Sequence, residues 1–185
     1  KMQIYWQKPD SLSDEFRVSY REPFLFGLPF HGQVGMYRLV RDITFVEWQY
    51  NLSFELPISD VLSAFVNFAS RTVVPNEVTN RQLGLPRTES LNTETGIRWD
   101  IRDNLLNPRR GAFLEMAFNL ANQDNKGPDS LFAANPELRR SETLQRMRAE
   151  VGIYLPTLKR QVFANEGQIQ FLNNRGGELR LPDQL

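Results

Sequence analysis

Residues 46–56 read VEWQYNLSFEL, and the alternation in this stretch decides the fold class. Val46, Trp48, Tyr50, Leu52, Phe54 and Leu56 share one face; Glu47, Gln49, Asn51, Ser53 and Glu55 share the other. Side chains alternate faces every residue along a strand, whereas a helix would scatter this set around its axis. The run also outlasts the usual strand of about 5–6 residues.

The same period recurs on both sides. Phe16, Val18 and Tyr20 oppose Arg17, Ser19 and Arg21. Leu62, Ala64, Val66 and Phe68 oppose Ser63, Asn67 and Arg71, with Phe65 and Ala69 blurring the polar set. Ile97, Trp99 and Ile101 oppose Arg98, Asp100 and Arg102. Leu114, Met116, Phe118 and Leu120 oppose Glu115 only weakly, because Phe113, Ala117 and Asn119 share its face. Met147, Ala149, Val151, Ile153 and Leu155 oppose Arg146, Arg148 and Glu150. Weaker strands are expected at 2–8, 32–41 and 161–172, the middle one with Gly35, Tyr37 and Leu39 on one face. The total is about nine strands. The best helical challenger, PELRRSETLQRMRAE at 136–150, is rich in helix formers but has too sparse an apolar stripe for a core helix. Its first half reads as loop with a short helical turn, its second half as strand.

Connections at 26–31 (FGLPFH), 57–60 (PISD), 104–110 (NLLNPRR) and 156–160 (PTLKR) are short and Pro-rich. Those at 72–91 and 122–141 are long and polar. Short and long connections thus alternate, which is how an up-and-down transmembrane barrel sorts its turns by end.

Composition narrows the function. With 22 basic and 22 acidic side chains there is no net charge to attract nucleic acid. The absence of Cys removes disulfides, thiol catalysis and thiolate metal sites. His31 is the only histidine and falls in a short turn, so general acid–base catalysis has no support. Asp124 and Asp129 lie in a polar connection where solvation is the default, and no metal or cofactor is expected. No run approaches the ~18 apolar residues of a spanning helix, and KMQIYWQK at the start lacks a signal-peptide pattern.

The apolar face still needs a cover. A second sheet would make a soluble sandwich or lipocalin-like barrel, and lipid would make a membrane barrel. The face holding Arg98, Asp100 and Arg102 can neither meet lipid nor form a dry core without dense pairing, and suits a wet lumen. Trp6, Trp48, Trp99, Tyr20, Tyr37 and Tyr50 on the opposing faces are the residues that form interfacial girdles. The pattern favours an antiparallel up-and-down transmembrane β-barrel, with the soluble all-β fold as its competitor.

The richest motif is GIRWDIRDNLLNPRRG at 96–111. A strand is expected to end at Asp103, with a turn through 107–110 and Gly111 opening the return strand at positive φ. Pro108 presets φ, and Asn107 and Asp103 can accept bonds from free turn N–H groups. The spacing of Trp99, Asp100, Arg102, Asp103, Asn104, Pro108 and Gly111 resembles the signature strand of the BamA/TamA outer-membrane assembly superfamily, also called the bacterial surface antigen family. Residues 20–27 (YREPFLFG), with Glu22, Pro23, Phe24 and Gly27, and residues 54–58 (FELPI) resemble two further strand–turn signatures of that family, in matching order.

The resemblance implies that residues 1–185 are a segment of one outer-membrane β-barrel domain, about nine of sixteen strands. The remaining strands and the periplasmic POTRA domains would lie outside this chain, and ELRLPDQL at 178–185 would approach the family's lid-loop motif. It implies a Gram-negative outer membrane and a factor that folds and inserts other barrel proteins. Its partners would be outer-membrane lipids, unfolded outer-membrane proteins and assembly lipoproteins, with no cofactor, no nucleic acid and no bond-making chemistry. A polypeptide exporter of the same superfamily and a passive porin-like or soluble barrel are the alternatives. Arg98, Asp100, Arg102, Arg146, Arg148 and Glu150 would line the lumen as a solvated wall. Asp100 or Glu150 could also hold the inward-folded loop.

Overall fold

The computed structural model describes residues 1–41, 44–76, 85–136, 138–158 and 161–174. They form one antiparallel sheet of nine strands whose spatial order is the sequence order. The strands are β1 (Met2–Gln7), β2 (Asp14–Glu22), β3 (His31–Arg41), β4 (Phe45–Pro57), β5 (Leu62–Pro75), β6 (Arg87–Asp100), β7 (Gly111–Lys126), β8 (Ser141–Leu158) and β9 (Gln161–Asn174). The sheet is open: β1 and β9 each pair on one side only. The expected all-β up-and-down meander is therefore present.

The register carries the two faces of β4 across the sheet. Phe54 stands opposite Val66, then Thr95, Phe118, Met147 and Phe171 follow in line. A parallel line on the other face runs Ser63, Arg98, Glu115, Glu150, Gln168. A slip of one residue in any pair would mix these lines, so the hydrophobic pattern fixes the register.

The faces differ in shielding, and in the sense opposite to a soluble domain. Met116 is 49% exposed while its neighbour Glu115 is 9% exposed; Tyr50 is 51% exposed while Glu47 is 7% exposed. Side chains crowd one another only on the inner side of a curved sheet, so the sheet curls towards its charged face. The described residues hold hardly any apolar core: Ala117, Leu131 and Tyr154 are its buried members.

Several expectations are corrected. Tyr37 lies on the charged face, because the register places it beside Gln49 and Arg17 rather than with Trp48 and Tyr50. Gly35 and Leu39 go with it, while Val34, Met36 and Val40 occupy the apolar face. The polar stretch at 72–91 is strand over most of its described length, since β5 runs to Pro75 and β6 starts at Arg87; that at 122–141 remains mostly a connection, entered by β7 only as far as Lys126 and left where β8 starts at Ser141. Asn, Gln and Thr suit these strand ends because they project beyond the apolar zone. As a result connection length is sorted by end only weakly. One end, the turn end, carries the connections at 23–30, 58–61, 101–110 and 159–160. The rim end carries those at 8–13, 42–44, 76–86 and 127–140. The helical turn expected within 136–150 lies upstream, as the single-turn helix α1 (Asp129–Ala134). The tail at 178–185 and the tip of the PTLKR turn, Lys159 and Arg160, lie outside the described residues.

Candidate functional site

Chemistry-bearing side chains concentrate on the charged face of β4 to β9. At its centre is Glu115 of β7. Its Oε2 accepts from Arg98 Nε and NH2 at 2.8 and 2.7 Å, and its Oε1 accepts from Arg148 NH2 at 2.8 Å. Arg98 also reaches Glu55 at 3.6 Å, and Arg148 donates to Glu150 at 3.0 Å. Acid and base therefore alternate from β4 to β8. The bridging matters because Glu115 and Glu150 are direct cross-strand partners. Like charges so placed are destabilising, and Arg148 resolves this by serving both.

The aromatic residues that blur the sequence pattern belong to this network. Arg98 lies over the Phe65 ring at 5.7 Å, and Arg102 over the Phe113 ring at 4.5 Å. Both rings need space beside them, and glycine provides it. A Cβ at position 96 would lie 2.5 Å from Phe65 Cζ, and one at position 152 would lie 2.3 Å from Phe113 Cε1. Arg stacked on a ring and forked onto a carboxylate keeps its charge paired while its flat face is covered.

Towards the rim end Arg71 forks onto Glu47 at 2.7 and 2.9 Å. Arg146, with Arg71 and Glu94, lines a concavity of about 450 Å³ floored by Asn67, Asn92 and Asn119. At the turn end Arg102 NH2 donates to Asp100 at 2.5 Å, and Tyr154 donates to Glu166. Among the described residues no buried side-chain nitrogen or oxygen lacks a hydrogen-bond partner. A dense charged face is tolerable only when satisfied in this way.

The motif hairpin is built as its residues require, with two differences. The regular strand ends at Asp100, not Asp103, but the backbone ladder continues: Ile101 N donates to Ala112 O at 2.9 Å and Asp103 N to Arg110 O at 3.1 Å. Gly111 takes φ +111°, with its Cβ position blocked by the Ile101 carbonyl oxygen at 2.3 Å. Asp103 Oδ1 accepts from the Arg109 and Arg110 amides at 2.9 and 3.2 Å. These bonds hold the Asp103 carboxyl below the usual range. The second capping side chain is Asn104, whose Oδ1 accepts from Leu106 N and Asn107 N, rather than Asn107 itself. Trp99 lies on the apolar face, and Pro108 is half-buried in the loop.

In the 20–27 motif, Glu22 accepts from the Tyr20 hydroxyl at 2.5 Å and both lie on the apolar face at the turn end. Pro23 and Phe24 are exposed, and Gly27 has φ +74°.

Of the expected lumen charges, Arg98, Arg148 and Glu150 belong to one ladder. Asp100 and Arg102 form a separate pair at the turn end, and Arg146 lies rimward. Sequence reasoning missed Glu115, Glu55, Tyr154 and Glu166. The signal was available: folding 96–103 back on 110–118 about the 104–109 turn puts Arg98 opposite Glu115. No group of three His, Cys, Asp or Glu among the described residues could hold a metal ion. No helix among them is long and apolar enough to cross a membrane, which says nothing of strands.

No protein-family model, curated protein or solved structure matches this chain.

Proposed function

We propose that this chain is a stretch of transmembrane β-barrel wall in a bacterial outer membrane, and that the barrel is a factor that folds and inserts other barrel proteins. The observation that carries the membrane assignment is the inversion of the two faces. An apolar face runs from β1 to β9 and is exposed between charged margins (Glu22 at the turn end; the Arg38–Asp14 pair and Glu89 at the rim end), while on the other face carboxylates and guanidiniums are shielded against one another. In water such a face would drive aggregation. In lipid it is the expected exterior, and the charges belong to an aqueous interior. All of the Trp residues, Trp6, Trp48 and Trp99, lie on the apolar face, where an amphipathic ring fits the interface.

The assembly role rests on the likeness of residues 20–27, 54–58 and 96–111 to the BamA/TamA superfamily. The charged hairpin is in keeping with it: Asp100 and Arg102 form a fork, Asp103 caps the loop and Gly111 makes the bend. Insertion of barrels requires no bond-making. It requires shelter for strand edges that lipid cannot satisfy. This chain would supply a rigid wall bordering water on one side and lipid on the other.

Two experiments test the proposal. Quenching of tryptophan fluorescence by brominated lipids should be strong in vesicles; quenching by aqueous acrylamide alone overturns the membrane assignment. Vesicles bearing the protein should accelerate conversion of a urea-denatured barrel protein to its protease-resistant form. A rate equal to that of empty vesicles overturns the assembly role, and passage of unfolded polypeptide without folding identifies an exporter.

A further inference from the structure

The apolar face ends differently at the two ends of the sheet. At the rim end it meets a polar margin on β5 to β8, where Thr72, Glu89 and Asp124 stand in one cross-strand line with Asn122 and Thr143 paired beside it, while Val40, Val46 and Val74 reach one step further on β3 to β5 and Leu12 and Leu85 are exposed in the rim connections. Arg87 and Lys126 both pair there with Glu89. At the turn end Glu22 interrupts the apolar face on β2, but from β4 to β8 there is no such margin. The apolar face continues from Leu56 and Leu155 into the connections themselves. Phe24, Leu28, Ile58 and Val61 are exposed there, and Leu106, at the apex of 101–110, is 97% exposed.

These apolar tips are built rather than loose. Ile58 N and Ser59 N both donate to Leu62 O, at 2.8 and 3.0 Å. Leu25 N donates to Phe30 O and Leu28 N to Leu25 O, each at 3.0 Å. Asn104 and Asp103 cap the 101–110 apex from either side. The turns thus satisfy much of their own backbone, a precondition for leaving water. Next to the Leu106 tip are Arg109 and Arg110, both exposed. An apolar tip flanked by basic side chains matches the boundary between acyl chains and phosphates.

We propose that the turn end is an interfacial anchor: its hairpin tips lie within the phospholipid headgroup layer, with Arg109 and Arg110 on lipid phosphates, while the rim end projects into water. This rests on the membrane assignment above and adds how deep each end lies. A protein partner covering the same tips is the competing occupant. Continuity of the tips with the apolar face and the adjoining arginines favour lipid.

The chain has no Cys, so a single substitution gives a single label. Leu106→Cys, Ile58→Cys, Asn122→Cys and Met116→Cys, each with an environment-sensitive fluorophore, are compared in phosphatidylcholine–phosphatidylglycerol vesicles. The expected result is loss of iodide quenching at positions 106 and 58, with quenching there by headgroup-linked nitroxide. Position 122 should stay open to iodide, and position 116 should respond to acyl-chain nitroxide. Iodide quenching at 106 and 58 with position 116 in lipid overturns the anchor alone and points to a protein partner. Iodide quenching at 116 overturns the membrane assignment and the anchor together. The Arg109→Glu/Arg110→Glu variant of the Leu106→Cys protein should regain iodide quenching; retained shielding overturns the phosphate contacts.

Discussion

Replacing Glu115 by Ala removes the acceptor shared by Arg98 and Arg148 and leaves two guanidiniums facing one another across β7. Breaking a buried pair by deleting one partner costs about 3–5 kcal/mol. Two features of the site reduce that figure. The arginine side chains are 43% and 29% exposed, so water recovers part of their solvation. Each also keeps a second carboxylate, Glu55 or Glu150. The expected loss is about 2–3 kcal/mol, comparable to one or two hydrogen bonds between charged groups. Urea unfolding of the vesicle-inserted protein, followed by tryptophan emission, measures it. Pairing Glu115→Ala with Arg98→Ala in a double-mutant cycle should return a coupling of about 1–2 kcal/mol. Lys126→Ala, which breaks a pair at the exposed rim, is the control and should cost within about 0.5 kcal/mol. A cost for Glu115→Ala no larger than that control, or a coupling near zero, would refute the idea that this ladder stiffens the wall.

Other substitutions probe the remaining structure. Gly96→Ala should destabilise by about 1–3 kcal/mol in the same unfolding assay, because its Cβ meets both the Phe65 ring and the Met116 carbonyl oxygen; Phe65→Leu in the same chain should recover part of the loss. Met116→Arg on the apolar face should cost about 2–4 kcal/mol in vesicles. Gln168→Arg, placed opposite Glu150 on the charged face, should be neutral within about 0.5 kcal/mol, and equal costs for the two would remove the distinction between the faces. Asp103 titrates lower in the fold than in the unfolded chain. Its stabilisation of the 101–110 loop is therefore complete above the ordinary carboxylate value of about 3.9 and fades as pH falls through the lower folded value. Hydrogen exchange at the Arg109 and Arg110 amides should rise over that window, and Asp103→Asn should flatten the profile.

The sequence by itself determined the strand content and the sorting of faces in β4, since period two is a local property of the chain. It also determined much of the 101–110 loop, where Asp103, Pro108 and Gly111 act on neighbouring backbone, although Asn104 and not the expected Asn107 is the second cap. What it could not determine was which line of one strand meets which line of the next. Tyr37 shows the limit: within β3 both faces carry apolar residues, so only pairing with β2 and β4 decides that Tyr37 joins the charged side. Phe65 and Phe113 read as noise until the register brings Arg98 over one and the loop bend brings Arg102 over the other. Glu115 has three apolar or amide neighbours on its own face of β7, and becomes the centre of the charge ladder only when β6 and β8 deliver an arginine from each side. The contrast in shielding between the faces is likewise a property of the curved sheet, because curvature crowds side chains on one side and spreads them on the other.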